Sequence, residues 1–218
     1  MNELITLQKE LAAAVIVEDQ LSRLQHIGGM DVSASRFDPE KMVFATCVIL
    51  EANSLAVVED RAYSHVQPLP YIPGLLGFRE APSLVEAYQK LTIKPDLIMV
   101  DGQGICHPRG LGLASHIGVL LDIPTIGVAK TIYIGKPAQE LGYKAGSVQP
   151  LIWKDKLVGM LVRTKDGCSP LVVSPGHKIS FKTSVELVLA CVRGYRLPEP
   201  TRQAHLAANA ARKLLPVS

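Results

Sequence analysis

Aromatic side chains are scarce in this chain, with one tryptophan, four phenylalanines and six tyrosines among 218 residues. The core must therefore be aliphatic, and a tyrosine in an unusual setting asks for a reason. The four cysteines, Cys47, Cys106, Cys168 and Cys191, form no C-x-x-C pair, which excludes a zinc knuckle and a dithiol redox motif. They read as small apolar fillers in a reducing compartment. No apolar run reaches membrane-spanning length, and the N-terminal MNELITLQKELAAAVIVEDQ carries acids through its apolar part, unlike a signal peptide. A cytoplasmic protein with no membrane partner is the expectation. Charge of one sign is also missing, since a formal +3 permits nucleic-acid binding without requiring it. Repeats, linkers and low-complexity tracts are absent.

What is present is a hydrophobic fraction of 48 %, enough for one domain over residues 1–218 with a core that needs no disulfides. Leu4, Leu7, Leu11, Ala14 and Val15 recur at helical spacing, predicting an opening helix over 3–18. Strand-like runs follow at 26–33, 42–51 and 54–64, joined by a turn at Asp38-Pro39-Glu40-Lys41 and another at Ala52-Asn53, which favours an antiparallel meander. A helix over 81–91 is predicted next, with Ser83 and Glu86 as a capping box. The run 96–101 reads as a buried strand, 111–121 as a helix and 124–130 as a second buried strand, and short links make this a parallel pair. Strands at 157–163 and 170–174 and helices at 180–193 and 201–214 complete the chain. The fold class is α/β, with a mixed central sheet flanked by helices.

Two acids stand out against this pattern. Asp31 lies inside the first strand, where a carboxylate is costly unless something compensates it. Asp101 closes the apolar run Leu97-Ile98-Met99-Val100, at the carboxyl end of a parallel strand, where open α/β sheets hold their ligands. Glu80 is the third candidate: with Pro82 confined to a first helical turn, it should fall at or just before the helix start, where the dipole favours the ionised form. Together the three form a set of hard oxygen ligands suited to Mg²⁺ or Mn²⁺, able to hold metal against a scissile phosphate.

Several strings in order, "PYIPGLLGFRE" from Pro70, "VDGQGICHPRGLGLASH" from Val100, "IPTIGVAK" from Ile123 and "GYRLPEPTRQAH" from Gly194, resemble the endonuclease V family. The resemblance covers nearly the whole chain and implies a ribonuclease H-like fold with a five-stranded type of central sheet. It implies Mg²⁺-dependent hydrolysis of the second phosphodiester bond 3′ to a hypoxanthine, leaving 3′-hydroxyl and 5′-phosphate ends, with Mn²⁺ able to substitute. Asp31, Glu80 and Asp101 match the metal-binding carboxylates, His205 a further active-site residue near the metal, and Lys130 a group approaching the cleaved phosphate. Pro70, Tyr71, Ile72 and Pro73 look like a strand-separating wedge, in which prolines stiffen the backbone and Tyr71 replaces the stacking lost when the base leaves. Gly74, Leu76 and Gly102 match the base pocket, while Gln103 is expected to do no essential chemistry. His107, Arg109, His177 and Lys178 precede helices and are candidates for phosphate contact.

Damaged single- or double-stranded DNA is the expected partner of a monomer. An inosine-specific endoribonuclease and a noncatalytic damage binder are the alternatives. The three intact carboxylates speak against the binder, because acids facing phosphates gain nothing without metal. A third reading, a small-molecule enzyme at the carboxyl edge of the sheet, lacks a phosphate-binding glycine motif, since Gly102-Gln103-Gly104 does not continue into the pattern a dinucleotide site needs.

Overall fold

The computed structural model describes residues 2–34, 42–67, 70 and 72–214. Helix α1 (Asn2–Ala13) leads into strands β1 (His26–Ala34), β2 (Met42–Glu51) and β3 (Val57–Val66). Helix α2 (Leu76–Gln89), β4 (Leu97–Val100), α3 (Leu113–Leu121) and β5 (Thr125–Ala129) follow. The remaining elements are β6 (Lys136–Pro137), β7 (Val148–Trp153), β8 (Lys156–Val162), β9 (Leu171–His177), α4 (Phe181–Ala190) and α5 (Glu199–Leu214).

All strands join one sheet in the order β3-β2-β1-β4-β5-β9-β8-β7-β6. The predicted mixed core is its first five strands, with β1–β4 and β4–β5 parallel and the meander antiparallel. Five strands are too few for the whole sheet, which continues antiparallel through β9, β8, β7 and the two-residue β6. Sequence periodicity misses β6 because two residues carry no period, and β7 because it holds a proline, Pro150, inside VQPLIW.

Both faces of the central strands are covered, so they read as continuous apolar runs. Alternation still assigns each side chain to a layer. Leu97 and Met99 join Val48, Leu50 and Ile126 against α4 and α5. Ile98 and Val100 join Met30, Cys47 and Ile49 against α2 and α3. Every free cysteine except Cys168 is buried, as small fillers should be. Among the described residues no helix is long and apolar enough to cross a membrane.

Two helix boundaries differ from the sequence reading for identifiable reasons. Helix α1 stops at Ala13 rather than 18, because the chain beyond it is taken up by β9: the His177 Nδ1 accepts from Ile16 N–H at 3.2 Å and Lys178 N–H donates to the Ile16 carbonyl at 2.7 Å. Helix α2 starts at Leu76, five residues earlier than predicted, and keeps Pro82 in its interior. Lacking an N–H, Pro82 leaves the Phe78 carbonyl without its helical donor, and the Gln67 amide donates to the adjacent Arg79 carbonyl. The Ser83–Glu86 capping box does not form; Ser83 is fully buried mid-helix with its Oγ 3.2 Å from His65 Nδ1. The Asp38-Pro39-Glu40-Lys41 turn lies outside the described residues.

Candidate active site

The parallel register between β1 and β4 builds the site. Met30 pairs with Val100, and the Asp101 N–H donates to the Met30 carbonyl at 2.9 Å, which sets Asp31, inside β1, beside Asp101, just past the end of β4. His205 arrives from α5, which crosses β1 so closely that a Cβ on Gly29 would fall 1.8 Å from the Pro200 carbonyl oxygen. Glycine is required there by contact with α5, not by backbone conformation. Ligand atoms of Asp31, Asp101 and His205 all lie within 4.8 Å of one another.

His205 Nδ1 stands 2.8 Å from Asp31 Oδ2. With Asp31 ionised, Nδ1 carries the proton, and the neutral ring then needs a donor at Nε2. Asn209 supplies it, with Nδ2 at 3.0 Å, and Ser33 Oγ donates to Asn209 Oδ1 at 3.0 Å. The chain Ser33, Asn209, His205, Asp31 therefore fixes both the tautomer and the orientation of the ring. Sequence reasoning missed Ser33 and Asn209. Asn209 carries one usable signal, its position four residues after His205 on the same helical face.

Lys130, directly after β5, pairs with Asp101 Oδ2. Burial first, and the Asp101 charge second, push the Asp31 carboxyl above its ordinary range, against the hydrogen bond from His205. Glu80 lies in the second turn of α2, not at its start, so the dipole argument for it does not hold. Its carboxyl is pushed up to about 8 by desolvation, with Asp31 and Asp101 adding repulsion. Asp31 and Asp101 thus crowd together with Lys130 as the cation on Asp101, and Glu80 feels the charge of both. Asp31, Asp101 and His205 form a group that could hold a divalent cation, and Glu80 lies outside that group.

A cavity of about 220 Å³ opens beside this cluster, its walls including Gly74, Leu76, Gly102, His107, Leu111 and Tyr133. All three residues expected in a base pocket therefore line it. Its volume lies below that of drug-sized pockets and suits one flat heterocycle. Gly102, in the cavity lining, directly follows Asp101 in sequence, so the cavity opens one residue away from that carboxylate. Gln103, expected to be idle, also lines the cavity and donates from Nε2 to the Thr131 carbonyl at 2.9 Å.

The four phosphate candidates are not gathered at one place. Arg109 turns inward, with Nη2 donating to the Gly74 carbonyl at 2.6 Å and Nε donating to Gln8 Oε1. His107 is buried beside the cavity; its Nδ1 accepts from Arg109 N–H at 3.2 Å, and burial, then Arg109, hold the ring down to about 4 and hence neutral. His177 and Lys178 lie where β9 meets the start of β5, at the opposite sheet end from Lys130, and Lys178 pairs with Asp122 at 2.7 Å. In the segment expected to act as a wedge, the Ile72 carbonyl accepts from Leu75 N–H at 3.0 Å, closing a turn ahead of α2. Tyr71 itself lies outside the described residues.

A ribonuclease H-like sheet with acids on two adjoining parallel strands, near a base-sized cavity, defines a metal-dependent nuclease class. The sequence profile of the family described as Endonuclease V matches residues 9–206, and the chain belongs to that family. It is 55 % identical over 207 residues to an endonuclease V of Protochlamydia amoebophila, a match covering 95 % of this chain and 88 % of the relative. The crystal structure of endonuclease V from Streptomyces avermitilis superposes with a TM-score of 0.91 at 37 % identity, covering 97 % of this chain and 92 % of that one. Endonuclease V from Ciona intestinalis, solved with a 24mer DNA containing an inosine followed by a ribo-adenosine, gives 0.84 at 27 % identity over 97 % of both chains.

Proposed function

We propose that the protein is a DNA-repair endonuclease that takes a hypoxanthine base into the cavity beside Gly102 and hydrolyses the second phosphodiester bond on its 3′ side. The observation that carries this reading is a base-sized cavity whose lining residue Gly102 directly follows Asp101 of the Asp31–Asp101 pair. A base lodged against Gly74, Leu76 and Gly102 commits the strand it belongs to, so a backbone phosphate nearby lies over the carboxylates. Asp31, Asp101 and Glu80 would hold Mg²⁺, which when bound supplies Lewis acidity and a more acidic water. Lys130 keeps a positive charge next to Asp101, where charge builds on the phosphoryl oxygens. His205 holds its proton at Nδ1 toward Asp31 and fixes that carboxylate's orientation. Pro70, Tyr71, Ile72 and Pro73 form the wedge that replaces the lost stacking, on the strength of their position directly ahead of Gly74.

The test is a cleavage map. End-labelled single-stranded DNA, duplex DNA and RNA, each with one inosine, are incubated with the protein or its Asp31→Ala variant, in Mg²⁺ or chelator. A Mg²⁺-dependent cut one nucleotide beyond the inosine, absent from the variant, is expected, with DNA cut faster than RNA. Inosine-selective binding with no cut would overturn the reading in favour of a damage binder, and a faster cut in RNA would reassign the substrate.

A further inference from the structure

We infer that Gln8, in the N-terminal helix, is a positioning residue that sets the wall of the base cavity and thereby its selectivity. Helix α1 buries just one residue, and that residue is polar: Gln8 is 1 % exposed. A buried amide is costly unless its hydrogen bonds are made, and here all of them are. The Gln8 Nε2 donates to the Gly74 carbonyl at 2.9 Å and to the Leu111 carbonyl at 3.1 Å, while Oε1 accepts from Arg109 Nε. Both carbonyl partners belong to residues that line the cavity, 66 and 103 residues further along the chain.

Gly74 makes the clamp consequential. Its φ of +80° lies in the left-handed region, so the loop leaving Pro73 turns sharply into α2 at this residue. Its carbonyl takes Gln8 Nε2 and Arg109 Nη2 together, and the space where a Cβ would sit is filled by Arg109 Nη2 at 2.5 Å. Glycine, glutamine and arginine thus form one unit that fixes where the loop ends and the cavity begins. The inward-facing Arg109 is explained by this role.

The inference rests on the base-pocket reading, and its test separates the two. Wild type, Gln8→Glu and Gln8→Met are compared in single-turnover cutting of DNA strands carrying one hypoxanthine or adenine at the same site, alongside thermal unfolding. Gln8→Glu keeps the shape but points acceptor oxygens at two carbonyls; Gln8→Met keeps the length and removes the donors. The enzyme concentration for half-saturation on the hypoxanthine strand should rise about tenfold or more in both variants, with the plateau rate within about threefold of wild type. A lowered unfolding midpoint with wild-type half-saturation would reduce Gln8 to a helix fastener and overturn the inference. Should Gln8→Glu fail to fold, Gln8→Met decides by the same criterion. Wild-type protein that cuts both strands alike would sink the base-pocket reading itself, and the role of Gln8 with it.

Discussion

Replacing Gly29 with alanine probes the contact that delivers His205 to the carboxylates. The new Cβ would stand 1.8 Å from the Pro200 carbonyl oxygen and 2.3 Å from its carbon, both backbone atoms that no side-chain rotation can remove. Reaching an ordinary contact requires the start of α5 to retreat by more than about 1 Å. Two hydrogen bonds depend on that helix's seat: Thr46 Oγ1 to the Ala204 carbonyl at 2.9 Å, and His205 Nδ1 to Asp31 at 2.8 Å. Overpacking of this kind costs about 1–3 kcal/mol, and each strained hydrogen bond about 1 kcal/mol more. The unfolding midpoint should fall by roughly 5–15 °C, and a displacement of that size at the site should slow cutting about a hundredfold. Gly28→Ala is the internal control, because its Cβ would meet only side-chain atoms of Ile98 and Pro95 at 3.1 Å and beyond. Thermal unfolding and single-turnover cutting on an inosine strand measure both quantities. Gly29→Ala protein that melts and cuts like Gly28→Ala would refute the claim that this contact places His205.

Three further outcomes follow from named contacts. Asn209→Leu removes the donor at His205 Nε2, so cutting should slow about tenfold with half-saturation for Mg²⁺ unchanged; a full rate would mean that the ring needs no such support. Glu80 binds its proton more tightly folded than unfolded, from an ordinary 4.5 up to about 8, so in chelator the protein should lose stability as pH rises through that window. Mg²⁺ should reverse the loss and Glu80→Gln should flatten it, whereas a flat wild-type profile in chelator would contradict the crowding of carboxyls. Glu59 works in the other direction: the N–H groups of Thr92 and Ile93 and the hydroxyl of Thr92 donate to it within 3.1 Å, holding its carboxyl below the usual range against desolvation. Its contribution is present above about pH 4.5 and lost as pH falls through the folded value, so Glu59→Gln should remove part of the acid sensitivity and about 1 kcal/mol of stability at neutral pH; an unchanged urea midpoint at pH 7 would argue against it.

Sequence by itself determined the central strands, the two strand acids and the family. Asp31 and Asp101 were legible because each interrupts or ends an apolar run, and the two-residue period of a strand says which face such a residue must meet. That Gly74, Leu76 and Gly102 line one cavity was legible through family resemblance alone, since no local property separates them from other turn residues. Glu80 was singled out for a reason that failed: a proline was read as a helix boundary, while the fold keeps Pro82 inside α2. What only the tertiary structure decided are the meetings of residues far apart in the chain: His205 with Asp31 across 174 positions, Gln8 with Leu111 across 103, Arg109 turned onto Gly74 instead of toward a phosphate. Periodicity encodes which side of an element is buried, because that depends on residues two to four apart. Which buried group it touches depends on how closely whole elements approach, and that is set by contacts such as Gly29 against Pro200 that no local pattern records.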